Sequence, residues 1–172
     1  MARILTDEEI AELLQEPKQL VQNWETRLRP RPKSNFNFTQ RDCEIEGKNA
    51  HMFRIIIRHN MINPLDFSII LTFQDKDGTE FNLCRYNGKH PSQHTNKLEK
   101  SKGLSDSSFR NAFHIHRATQ RYQEEGLSID GYAEVTNEYS SFDTALHTFV
   151  RTNGFSISGD EMPLFDVQGD TK

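Results

Sequence analysis

Residues 85–96 read RYNGKHPSQHTN and residues 113–117 read FHIHR, and together they hold four of the chain's seven histidines. His90 and His94 are spaced HxxxH, and His114 and His116 HxH. Arg85, Lys89, Arg110, Arg117, Arg121 and Tyr86 share the stretch. Metal-free RNA cleavage needs a group near neutrality to take the 2′-hydroxyl proton and another to protonate the departing 5′-oxygen. Imidazole, with an unperturbed pKa of about 6.5, can do both. A guanidinium has the planar donors to stabilise the charge that builds on phosphorus. His114 and His116 are therefore acid/base candidates, with His90 or His94 completing the set and Tyr86 orienting. Arg85, Lys89, Arg110, Arg117 and Arg121 are candidates for phosphate binding. Tyr86, Asn87, Asn96 and Tyr122 have the chemistry to hydrogen-bond to or stack on an unpaired base.

Two other readings compete. The His pairs, with Cys84 close by, supply enough ligands for tetrahedral zinc. Yet no Asp or Glu lies between Glu80 and Glu99 to serve as a carboxylate ligand, and a magnesium nuclease wants several acids. Pro91 also argues against the helix that would bring His90 and His94 to one ion. A metal-independent site without a cofactor is the expectation. The third reading is a polar surface with no chemistry.

The positions of these groups depend on the elements that carry them. In a strand over 113–117, Phe113 and Ile115 face the core, while His114 and His116 project together from the solvent side, about 7 Å apart. In the strand over 79–86, Phe81 and Leu83 define the apolar side, which puts Arg85 with them and Tyr86 with Asn82 and Cys84. Either Arg85 snorkels from the strand end, or the alternation breaks because a site begins there. Residues 66–86 read as a hairpin turning at DKDG. A T-x-x-E box at Thr6 and Glu9 starts a first helix with Ile10, Leu13 and Leu14 inward. Pro17 suits the first turn of a second, carrying Leu20, Val21, Trp24 and Leu28. Helical patterns return over 118–126 and 140–154, the latter with Phe142, Ala145, Leu146, Phe149 and Val150 on one stripe. The expected fold is α+β: an antiparallel sheet of about five to six strands with an N-terminal helical pair and C-terminal helices packed on it. One domain spans 1–154, with helices in 1–30, mainly sheet in 35–136 and a helix over 140–153. An acidic tail occupies 155–172. His51, His59 and His147 are isolated and expected on the surface.

The chain has 172 residues and a net charge of −4, but the charge is uneven. Residues 85–121 carry eight Lys/Arg against two acids, +6, which leaves −10 for the remainder. A local basic patch can steer an anion even on an acidic protein. Two cysteines make no disulfide framework, and no apolar run reaches the roughly 18 residues of a membrane span. The start MARILTDEEIAELL is acidic and helical in pattern, so no signal peptide is expected. A soluble cytoplasmic protein, not a membrane protein, is expected.

Arg85-Tyr86-Asn87, then His90 or His94, then His114-Ile115-His116 resembles the TumE-type toxins of bacterial toxin–antitoxin pairs, or a related bacterial or phage family with an RYNG…H…FHIH core. The toxin pattern has RYDN where this chain has RYNG. The resemblance implies a small α+β growth-inhibiting toxin acting on RNA or transcription and neutralised by a cognate antitoxin protein. In the tail, EMPLF resembles the short peptide that docks bacterial proteins on the DNA sliding clamp, with Met162, Leu164 and Phe165 as anchors. The leading reading is a toxin-like RNA-binding protein or metal-independent endoribonuclease. The alternative is a non-enzymatic binding protein, such as a phage or plasmid defence or anti-defence factor, contacting nucleic acid or a protein partner through the basic 85–121 surface.

Overall fold

The computed structural model describes residues 3–31, 37–105 and 107–158. The chain runs α1 (Asp7–Gln15), β1 (Lys18–Val21), a 3-10 turn (Trp24–Arg27), β2 (Arg29–Arg31), β3 (Phe38–Glu46), β4 (Met52–Asn60) and β5 (Phe67–Gln74). It continues through β6 (Glu80–Asn87), β7 (Gln93–Thr95), α2 (Lys97–Ser101), β8 (Ser108–Arg110), β9 (His114–Arg117), α3 (Gln120–Glu124), β10 (Tyr132–Val135), α4 (Phe142–Thr152) and β11 (Phe155–Ser158). Among the described residues no helix is long and apolar enough to cross a membrane.

The expected capping box opens α1. Thr6 Oγ1 accepts from the Glu9 N–H at 3.1 Å and Glu9 Oε2 from the Thr6 N–H at 2.9 Å. The expected second helix is not formed, and Pro17 supplies the reason. The residue before a proline is pushed out of the helical region, and Glu16 has ψ 128. The chain leaves as β1, which pairs in parallel with β11. Asn23, left-handed at φ 57, then turns it into the 3-10 segment. Leu20, Trp24 and Leu28 are all buried, as the helical spacing required. A strand, a turn and a strand dipping into the same core satisfy that spacing equally. Lys18, fully buried, donates its ammonium to the carbonyls of Leu13, Glu16 and Asn153 at 2.8–3.1 Å and so closes the ends of α1 and α4.

Seven antiparallel strands form the main sheet in the order β10-β9-β6-β5-β4-β3-β2. The expected 66–86 hairpin is its centre. One face is the core, where Phe53, Ile55, Ile57, Ile69, Leu71 and Phe73 gather with Leu13 of α1 and Ala145 and Phe149 of α4. Gly154 ends α4 at φ 71, where a Cβ would stand 2.6 Å from the Glu16 carbonyl, and only glycine meets both demands. The acidic tail was expected from residue 155, but residues 155–158 are β11. Met162, Leu164 and Phe165 lie outside the described residues.

The second face is set by a β-bulge. Leu71 pairs with Cys84, whereas Thr72 pairs with Asn82, so Leu83 is the extra residue. A bulge shifts alternation by one. Phe81, Leu83, Cys84 and Tyr86 all join the core, and Arg85 turns to the opposite face. The expectation that Arg85 would share the Phe81 side is overturned, and the break does fall where the candidate site begins. On this second face two rows of directly opposed residues cross the sheet. One is Asp42–Ile56–Ile70–Arg85–His116–Ala133. The other is Arg31–Gln40–Arg58–Ser68–Asn87–His114–Val135. β7 and β8, inserted between β6 and β9, pair with each other as a separate ribbon.

Candidate functional site

Arg85 and Asn87 project from β6, His90 from the loop after it, His94 from β7, and His114 and His116 from β9. Strand alternation puts His114 and His116 opposite Ile115, as expected from the sequence. The fold adds the other two rings. His94 lies 4.7 Å from His116 and 5.9 Å from His114 between ring centroids, His90 lies 5.3 Å from His114, and the β9 pair is 5.1 Å apart. Phe109 of β8 packs on His114 at 5.0 Å. His114 and His116 are not solvent-facing: they are 2% and 7% exposed. The β7–β8 ribbon brings His94 and Phe109 down over them.

Hydrogen bonds settle three tautomers. His114 Nδ1 faces the Ala112 carbonyl at 2.7 Å and must donate, so Nε2 accepts from Asn87 Nδ2 at 3.1 Å. His116 Nδ1 donates to the Asp130 carbonyl at 2.8 Å, leaving the lone pair on Nε2. Asn96 Oδ1 accepts from the Ala133 N–H at 2.8 Å, which orients the amide. His94 Nε2 therefore donates to Asn96 Oδ1 at 2.9 Å and keeps its lone pair on Nδ1. Burial pushes His114 down to about 4, and the nearby His90, His94 and Arg85 add to the effect. His116 is pushed down to about 3, by burial first and then by the Arg85 charge. Burial also lowers His94, with Arg85 and His90 adding to it against the Asn96 hydrogen bond. These three rings are neutral at pH 7.

Beneath them Arg85 is ion-paired with Asp130, whose side chain is 1% exposed. Burial works to raise the Asp130 carboxyl, but the Arg85 charge and the Ser128 hydroxyl (Oγ to Oδ1, 2.7 Å) hold it below the usual range. Two buried polar atoms here, Arg85 Nε and Asn87 Oδ1, have no hydrogen-bond partner. Next along the sheet is Arg58, a residue not expected in the site, which donates Nε to Gln40 Oε1 at 2.8 Å. Burial and the Arg85 charge lower its pKa. The alternation of FRIIIRH placed Arg54, Ile56 and Arg58 on one face, but nothing local said that this face would continue to the histidines. A cavity of about 350 Å³, with His94, Thr95, Lys97, Tyr122, Ser128 and Gly131 in its wall, opens beside the cluster.

The remaining candidates lie elsewhere. Tyr86 faces the core, its hydroxyl 2.7 Å from Thr152 Oγ1 and its ring stacked on Tyr139; the bulge removes it from the imidazoles. Arg117, one residue past His116, lies on the other face, 3.9 Å from Glu134. Arg121 is paired with Glu99 and lies over Tyr132. Arg110 reaches Gln93 at 3.4 Å, and the Lys89 ammonium sits 5.1 Å from the Phe113 ring centre. Cys84 is buried in the core, so the zinc set that included it is not assembled. Among the described residues no three His, Cys, Asp or Glu side chains are placed to hold a metal ion.

Two supposedly isolated surface histidines are engaged. His51 Nδ1 is 2.5 Å from Glu16 Oε2, on the wall of a cavity of about 620 Å³. His59 packs edge-on at 4.0 Å from Phe142. His147 is exposed, as expected. No protein-family model, characterised protein or solved structure matches the chain.

Proposed function

We propose that this chain is a toxin-like RNA-binding protein that acts as a metal-independent endoribonuclease at the histidine cluster. The observation that supports it is the convergence of four imidazoles from three separate segments beside the partly buried Arg85, with lone pairs left on His94 Nδ1 and His116 Nε2. Gathering polar rings under a ribbon costs desolvation that an apolar core would avoid. In this reading the half-exposed His94, at the cavity mouth, takes the 2′-hydroxyl proton as the 2′-oxygen attacks phosphorus. A phosphodiester arriving beside these rings favours their protonated forms, so a second imidazole, His90 or His116, becomes the acid for the leaving 5′-oxygen. Arg85 balances the charge on phosphorus. His114, held by Asn87 and Ala112, positions its neighbours.

One observation favours a second reading, a binding protein without catalysis. His114 and His116 are buried and neutral in the free protein, so no proton stands ready on either for a leaving group. Incubation of RNA with wild type, His94→Ala and His116→Gln in EDTA decides between them. Cleavage by wild type that both variants lose supports the ribonuclease. Intact RNA that is nonetheless bound supports the binding reading, and RNA neither bound nor cut removes both. A toxin further predicts growth arrest on expression, relieved by a neutralising partner protein.

A further inference from the structure

We infer that the open part of the histidine face, the row Arg31–Gln40–Arg58–Ser68, is a phosphate track that leads a single-stranded RNA into the histidine site. The inference rests on the RNA reading above and adds how the substrate is held.

Arg58 carries the argument. Its guanidinium is about half-buried, and a buried charge is expensive unless paired. Among the described residues no carboxylate lies within ion-pair distance of it. Its Nε is given to a neutral amide, that of Gln40. The strongest charge acting on it is another cation, Arg85, and the carboxylate that partly offsets this, Asp130, is already engaged by Arg85. A fold that needed Arg58 only for stability would have set an acid against it, as it does for Arg31 and Arg54 with Asp42. Two guanidinium groups on adjoining rows instead form a site for an anion with several oxygens.

The surroundings extend the site into a line. From Arg31 through Gln40, Arg58, Ser68 and Asn87 to His114 the row crosses six strands without an acid, and every member before His114 can donate a hydrogen bond. Strands about 4.8 Å apart make that row about 24 Å long. This length suits about four extended nucleotides, the short end of single-strand site sizes. Gln40, Arg58 and Ser68 are all partly exposed, whereas Asn87 and His114 pass under the ribbon. The ribbon closes the row at Asn87, so a bound strand lies on the open part, where a row one residue wide suits a single backbone rather than a duplex.

The test is binding of fluorescein-labelled RNA, two and eight nucleotides long, to the full chain at a series of salt concentrations in EDTA. For the eight-mer, Arg58→Gln should weaken binding about tenfold and reduce the log–log salt slope by about 0.7, the value of one single-strand phosphate contact. Arg58→Lys should retain most of the slope. The two-mer, too short to span both sites, should bind wild type and Arg58→Gln alike. Ser68→Asp, which places an acid in the row at a partly exposed position, should reproduce the loss and guards against misfolding of the Arg58 variant. Arg151→Gln, on α4, is the control. Eight-mer binding and slope unchanged in both Arg58→Gln and Ser68→Asp would overturn the track, even if His94→Ala still abolished cleavage. Arg58-dependent eight-mer binding with RNA left intact by wild type would keep the track and remove the ribonuclease.

Discussion

Lowering the pH from 7 to 5 should destabilise this protein sharply, and the histidine cluster sets the size of the effect. His114 and His116 are neutral in the fold because burial holds them at about 4 and about 3, whereas an unfolded histidine titrates near 6.5. The folded values are the lower ones, so the unfolded chain takes up protons first as pH falls. Stability is therefore complete above pH 6.5 and is lost progressively as pH drops toward 4 and 3. Integrating the linkage between pH 7 and 5 gives about 2 kcal/mol for each ring, or about 4 kcal/mol together. Typical domains have about 5–15 kcal/mol in all, so the loss is a large share. His94 and His59, also lowered by burial, add in the same direction. Urea titrations followed by tryptophan fluorescence at pH 7, 6 and 5 measure it, since Trp24 is the chain's single tryptophan and is buried. His116→Gln, which replaces the ring with a group that does not titrate, should remove roughly half of the two-ring effect. A midpoint that stays level from pH 7 to 5, or falls equally in His114→Asn/His116→Gln, would refute the reasoning.

Other outcomes follow from single contacts. Arg85→Met leaves Asp130 charged and buried, and should cost about 3–5 kcal/mol in chemical denaturation; adding Asp130→Leu should recover much of it. Tyr86→Phe removes the phenol from Thr152 on the core face and should cost about 1 kcal/mol, with RNA binding and cleavage unchanged. Thr6→Ala deletes the cap of α1 and should lower stability by about 1 kcal/mol. Gly154→Ala forces a Cβ against the Glu16 carbonyl at positive φ and should cost more than the roughly 1 kcal/mol of left-handed backbone alone, read as a fall in Tm.

Local pattern was enough for much of this molecule. The Thr6–Glu9 box, the hairpin around DKDG, the stripe of α4 and the stop at Gly154 each depend on residues within a few positions of one another. The HxH spacing likewise settled that His114 and His116 share the face opposite Ile115, because alternation belongs to the strand itself. Other features depend on distant partners. Leu20, Trp24 and Leu28 fit a helix, but Pro17 and the parallel pairing of β1 with β11, more than 130 residues away in the chain, make a strand and a turn. One extra residue at Leu83 reverses every side chain after it, sending Tyr86 into the core and Arg85 to the histidines. Residues 93–110 contain no long apolar pattern, so only their packing over β9 reveals a cover that turns two surface imidazoles into buried neutral ones. Arg58 joins the site through the pairing of β4, β5, β6 and β9. A strand dictates which of its side chains point together; the pairing of strands and the segments laid over them decide what those side chains meet.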